Sequence, residues 1–134
     1  MIIDTSALMA ILADEPEAAA FATAIATART PKISAPTLVE ARVVVEARLG
    51  PHKRRRLEAL LRESRAEVVP FDEEQAGIAA DAYRAYGKGS GHRARLNLGD
   101  TYSYALAAQT GEPLLYKGDD FIHTDLRPAV PPAG

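Results

Sequence analysis

Met1-Ile2-Ile3-Asp4-Thr5-Ser6 sets a short apolar run directly before an acid, and two hydroxyl residues then lead into a helical pattern. The run reads as a central strand that delivers one carboxylate to the C-terminal edge of a sheet, where open α/β proteins place their ligands. The rest of the chain keeps alternating. Lys32-Ile33-Ser34, residues 66–70 and residues 113–116 read as further strands, with one more edge strand expected near Ala129-Val130. Helices are expected over 6–13 with Ser6 as N-cap, from the Asp14-Glu15-Pro16-Glu17 start to about residue 29, and over 36–49, 51–64, 73–86 and 100–110. Prolines in first turns, the Gly50-Pro51 breaker and Gly111 set these bounds.

Short strands separated by helices of this length imply an α/β fold with a mostly parallel sheet of four to five strands and helices on both faces. Right-handed crossovers then bring the C-terminal ends of all strands to one edge. The 134 residues show no linker and no repeat, so a single domain over 1–134 is expected. With no cysteine, disulfides and thiolate metal sites are excluded. No segment is long enough to span a bilayer, and an acid at position 4 does not suit a signal peptide, so a cytoplasmic protein with no membrane partner is expected. The formal net charge of −2 hides basic clusters at 52–56 and 84–95, so it neither argues for nucleic acid nor excludes it.

Acids near that edge are the functional candidates. Asp4 follows the first strand, where a turn or capping Asp is the competing explanation. Glu40 shares a helix side with Val44 and Ala47, while Arg42 lies about 200° around the helix. That phase puts Glu40 on a buried or half-buried face, where a carboxylate needs a partner; an internal Arg would be the structural alternative. Asp100 opens an Ala-rich helix, where N-capping competes. Asp119 and Asp120 occupy a Gly-containing loop after the last long strand, where a solvated turn competes. Carboxylates gathered at one edge repel unless protons or a cation intervene. Oxygen ligands without Cys or a His pair suit Mg²⁺ or Mn²⁺ rather than Zn²⁺.

Taken together, Met1-Ile-Ile-Asp-Thr-Ser-Ala-Leu, Glu40 in Leu-Val-Glu-Ala, Asn97-Leu-Gly-Asp100, and the run from Leu114 through Lys-Gly-Asp-Asp-Phe to Asp125 resemble the PIN-domain ribonucleases. Within them the sequence is similar to the VapC toxins of type II toxin–antitoxin modules, and the likeness covers essentially the whole chain. The resemblance implies a PIN-like three-layer fold and an endoribonuclease dependent on Mg²⁺ or Mn²⁺. Its acids would be Asp4, Glu40, Asp100 and either Asp119 or Asp120, with Asp4 and Asp100 holding the metal. The family often places the fourth acid directly before Phe, which favours Asp120. Cleavage would leave a 5′-phosphate and a 3′-hydroxyl. A cognate VapB-type antitoxin and a homodimer are also implied.

Around that centre, Thr5 and Ser6 are candidates to orient a phosphate or water at a helix N-terminus. Arg84, Lys88, His92, Arg93 and Arg95, in and before the only Gly/Ser-rich loop, are candidates to bind RNA phosphates. An ordinary charged loop is the alternative. His92 lacks a second His at ligand spacing and signals no metal site. The 52–56 basic run reads as a solvated helix start, and the tyrosines at 83, 86, 102 and 104 as packing. Two readings compete with an RNA-cutting enzyme: a DNA-directed nuclease of related architecture and a non-catalytic binding module on the same fold.

Overall fold

The computed structural model describes residues 1–132. Strands β1 (Ile2–Ile3), β2 (Lys32–Ser34), β3 (Glu67–Val69) and β4 (Leu114–Leu115) alternate with helices α1 (Thr5–Leu12), α2 (Ala18–Thr27), α3 (Ala35–Leu49), α4 (Pro51–Glu63), α5 (Glu73–Tyr86) and α6 (Leu98–Thr110). The sheet order is β3-β2-β1-β4, and every pairing is parallel.

Residue alternation makes the three layers. Side chains on a strand point to opposite faces in turn, so each two-residue strand supplies one side chain to each layer. Ile3 and Leu115, paired in register, join Ile33 and the apolar sides of α1 to α4 in one core. Ile2 and Leu114, the preceding pair, face the other way and pack with Leu106 of α6, Ala82 of α5 and Leu96. Strands buried on both faces read as continuous apolar runs, which is what the sequence shows at Ile2-Ile3 and Leu114-Leu115. Among the described residues no helix is long and apolar enough to cross a membrane.

The expected element bounds shift at several ends. Helix α1 begins at Thr5 with Asp4 as N-cap, not at Ser6, because the Asp4 carboxylate accepts from the Ser6 N–H. Asp14 takes a positive φ of 54° and turns the chain, so α2 begins only at Ala18. Helix α6 begins at Leu98 with Asn97 as its cap. The expected edge strand near Ala129-Val130 is reduced to a single parallel bridge between Leu114 and Pro128, flanked by hydrogen bonds from Leu114 N to Arg127 O and from Ala129 N to Leu114 O.

Candidate active site

The alternation that builds the core also aims Asp4. One residue beyond β1 and on the Ile2 face, it turns towards α6, and only 3% of it is exposed. Its Oδ2 accepts from Ser6 N (3.0 Å) and from Ser6 Oγ (2.7 Å), and its Oδ1 accepts from Ser103 Oγ (2.6 Å). The same carboxylate therefore caps α1 and accepts a hydrogen bond from α6. The Ser6 hydroxyl accepts in turn from Lys117 N at 3.0 Å, which ties the segment after β4 to Asp4.

Glu40 lies in α3 and is half-buried. The expected helix phase is off by about one position: the buried side is Thr37, Leu38, Ala41 and Val45, whereas Ala47 is exposed. Helix α3 packs against α1, α4 and α6 together, so its covered stripe is wider than one heptad face, and Glu40 stands at the margin of that stripe. Its partner is not an arginine. Thr5 Oγ1 donates to Glu40 Oε1 at 2.6 Å. Arg42 instead reaches across to α4, where Nε and Nη2 donate to Glu58 at 2.7 and 3.1 Å. The other end of the Glu40 carboxylate presses on the α3–α6 contact at Gly99, where a side-chain carbon would stand 2.2 Å from Oε2.

Asp100 is the third residue of α6 and closes a capping box: Asn97 Oδ1 accepts from Asp100 N (2.9 Å) and Asp100 Oδ2 accepts from Asn97 N (3.0 Å). Its carboxyl is pushed up to about 7. Burial does most of this, the Asn97 N–H works against it, and the charges of Asp4, Asp120 and Glu40 add to it. Acids from four distant stretches of the chain thus share one field.

The Asp119-Asp120 pair divides. The turn needs Gly118 at a φ of +102°, and the buried Phe121 ring, 5.3 Å from that of Tyr116, pins the far side of the turn. Asp120 lies in the field of Asp4: burial chiefly raises its pKa, Asp4 adds to the rise, and Lys88 offsets part of it. Asp119, exposed like Asp120, lines a recess of about 610 Å³ between α2 and the C-terminal segment, among Phe21, Tyr116 and Val130. Thr5 and Ser6, expected to meet substrate, spend their hydroxyl protons on Glu40 and Asp4.

The basic loop is a built structure rather than a loose one. Lys88 N donates to Leu96 O, Leu96 N to Tyr86 O, His92 N to Ser90 Oγ (3.1 Å) and Ala94 N to His92 Nδ1 (3.0 Å). The His92 ring meets Tyr86 edge-on at 4.9 Å, so His92 shapes the loop. Arg93 and Arg95 are exposed, form no salt bridge among the described residues, and border a recess of about 450 Å³ with Gly89, Gly91 and His92. Arg84 is instead paired with Asp81 on α5. In the 52–56 run, Arg54 pairs with Glu58 and Glu46, and Lys53 with Asp14.

Three site residues escaped the sequence analysis: Thr37, Gly99 and Ser103. Thr37 and Ser103 are fully buried, with their hydroxyls 3.2 Å apart. Ser103 lies one turn past Asp100, hence on the same side of α6, and that spacing was the available signal. Among the described residues no three acids or histidines already stand as a closed metal-ligand group. The donor set nevertheless fits a hard divalent cation, since it is all oxygen and its mutual repulsion is what such a cation relieves.

A fold of this kind with an acidic strand edge defines a PIN domain, and the PIN-domain family model matches residues 1–126. The chain is 51% identical to the Mycobacterium tuberculosis ribonuclease VapC42 over 129 residues, covering 96% of this chain and 98% of that one. It is 47% identical to ribonuclease VapC28 of the same species over 130 residues, covering 97% and 98%. Among solved structures it superposes on VapC20 of M. tuberculosis with a TM-score of 0.71 at 18% identity (95% and 98% covered), a likeness of fold. A VapBC-5 structure, described as a member of the VapBC toxin–antitoxin family from the same species, gives 0.61 at 27% identity (97% and 94% covered). The chain belongs to the VapC ribonucleases, the toxins of type II toxin–antitoxin systems.

Proposed function

We propose that this chain cuts RNA by metal-dependent hydrolysis of phosphodiester bonds, with Asp4 and Asp100 as direct ligands of Mg²⁺ or Mn²⁺ and with Glu40 and Asp120 completing the acidic site. One observation carries the reading: the half-buried Asp100 carboxyl sits in the combined field of Asp4, Asp120 and Glu40. Nothing in a merely structural helix cap calls for three further acids around it. A bound dication would supply charge neutralisation, a lowered pKa for water and stabilisation of charge on the phosphoryl oxygens.

The chain's own residues do the rest. The Ser6 and Ser103 donors hold Asp4 in one orientation, and Thr5 holds Glu40. Asn97 anchors Asp100 to the start of α6. Glu40 and Asp120 are the groups free to orient water by accepting its protons. Lys88 brings a positive charge to the rim beside Asp120, and Arg93 and Arg95 present two more on a fixed loop, where RNA phosphates would offset them. A VapB-type antitoxin, in line with the toxin–antitoxin family of the VapBC-5 structure, and a second copy of this chain are its proposed protein partners.

The test assays purified protein on matched RNA and DNA oligonucleotides with Mg²⁺, Mn²⁺ or chelator, alongside Asp4→Asn and Asp100→Asn. RNA cleavage to 5′-phosphate ends that disappears with chelator and in both variants is expected. Cleavage that persists in chelator sinks the metal role, and equal cutting of DNA sinks the substrate assignment.

A further inference from the structure

Proton counting at Asp4 shows more than a buried acid. A carboxylate offers about four lone-pair positions. Two on Oδ2 are used by the Ser6 N–H and hydroxyl, and one on Oδ1 by Ser103, so a single position on Oδ1 stays open. The Ser103 hydroxyl has one proton, and it goes to Asp4 at 2.6 Å. In the Thr37–Ser103 contact of 3.2 Å, Thr37 must then be the donor. Both hydroxyls are fully buried, at the place where α3 and α6 meet the end of β1. A buried hydroxyl costs stability unless it is paired, so this directed chain is a built feature with one terminus, Asp4.

We propose that Ser103, oriented by Thr37, is a positioning residue that makes Asp4 a fixed one-point ligand and so favours Mg²⁺ and Mn²⁺ over Ca²⁺. Octahedral Mg²⁺ takes carboxylates through few oxygens and keeps its waters, whereas Ca²⁺ accepts two-oxygen carboxylate binding in a looser shell. Freeing Oδ1 of its partner gives Asp4 a second open position and room to rotate. Outer partners of this kind set metal affinity through the ligand they hold. This step rests on the metal reading above.

The experiment measures Mn²⁺ binding by electron paramagnetic resonance, and Ca²⁺ by competition, on protein stripped of metal. Wild type, Ser103→Ala, Ser103→Thr and Asp4→Asn are compared, with circular dichroism melting of each. Ser103→Ala is expected to weaken Mn²⁺ binding about tenfold or more and to narrow the preference over Ca²⁺, and Ser103→Thr to restore both. Thr37→Val, which removes only the outer hydroxyl, moves both readouts the same way by less and serves if Ser103→Ala does not fold. Unchanged Mn²⁺ affinity and unchanged preference in the folded variant overturn the proposal and leave Ser103 as packing. Equal Mn²⁺ binding by wild type and Asp4→Asn instead overturns the metal reading itself, and this proposal with it.

Discussion

Gly99 and Glu40 touch so closely that a methyl group on the glycine would overlap the carboxylate, at 2.2 Å from Oε2. The glycine is there for space, since its backbone lies in an ordinary helical turn. Gly99→Ala improves intrinsic helix propensity by about 1 kcal/mol, and the flexible end of Glu40 can swing away from Thr5. The expected outcome is a melting temperature that holds or rises while RNA cleavage falls by about tenfold or more, the scale seen when the groups that orient a metal site are disturbed. A drop in both would show that Gly99 matters for packing instead.

Asp100 gives the metal-free protein a pH signature. Its folded-state pKa is raised to about 7 from an ordinary 3.8, so the folded form holds a proton that the unfolded form has released. Stability from this group is therefore complete below about pH 4 and is lost as pH rises towards and through 7. Asp100→Asn, which can still accept from the Asn97 N–H, should flatten that fall. Denaturant midpoints at pH 5 and pH 8 check it: the variant should gain more on wild type at pH 8 than at pH 5. Equal behaviour at both would mean that Asp100 is not crowded.

Adding Mg²⁺ should oppose the same loss. An ion held by the folded state alone would stabilise it by mass action, so the melting temperature of wild type should rise at pH 8 by more than that of Asp100→Asn. Thermal melts with and without Mg²⁺ decide it; matching shifts would place the ion elsewhere.

Arg93 and Arg95 should act on substrate affinity, not on the chemical step. Replacing both with Gln takes away up to two cations that can pair with phosphates, and each one lowers the salt slope of single-strand binding by about 0.7. Titrations of a cleavage-dead Asp4→Asn background at several salt concentrations measure it. An unaltered slope would take the loop out of the RNA path.

Ser34 should tolerate loss of its hydroxyl. It is fully buried, and its Oγ has no partner among the described residues. An unpaired buried polar group costs about 1–3 kcal/mol, so Ser34→Ala should leave stability unchanged or raise it by about 1 kcal/mol. A fall in melting temperature would reveal a partner such as an ordered water.

How much of this was open to a reader of the sequence depends on the distance over which each cause acts. The order of strands and helices, and the arrival of Asp4 and the 119–120 loop at one sheet edge, follow from local alternation and crossover handedness and were legible, whereas Asp100 at a helix start was tied to them by the family resemblance. The start of α1 slipped because Asp4, read as a site candidate, is also the cap, and the starts of α2 and α6 slipped because Asp14 turns the chain and Asn97 caps two residues earlier than expected. Glu40 is half-buried as expected, but the apolar phase around it was set about one position off, because Val43-Val44-Val45 blurs it and only the contacts with α1, α4 and α6 fix it. Gly99, Thr37 and Ser103 gain their meaning from how α3 meets α6, which no local pattern records. The contrast between Asp119 and Asp120 rests on which of the two adjacent acids lies in the field of Asp4, which the sequence does not record.

The Ser6 hydroxyl, shared between Asp4 and the Lys117 amide, ties together residues 111 positions apart in sequence. Closing so long a loop costs entropy before the contact returns anything. The segment that carries Asp120 is therefore ordered against the end of β1 by the pairing of β1 with β4, and not by any local turn.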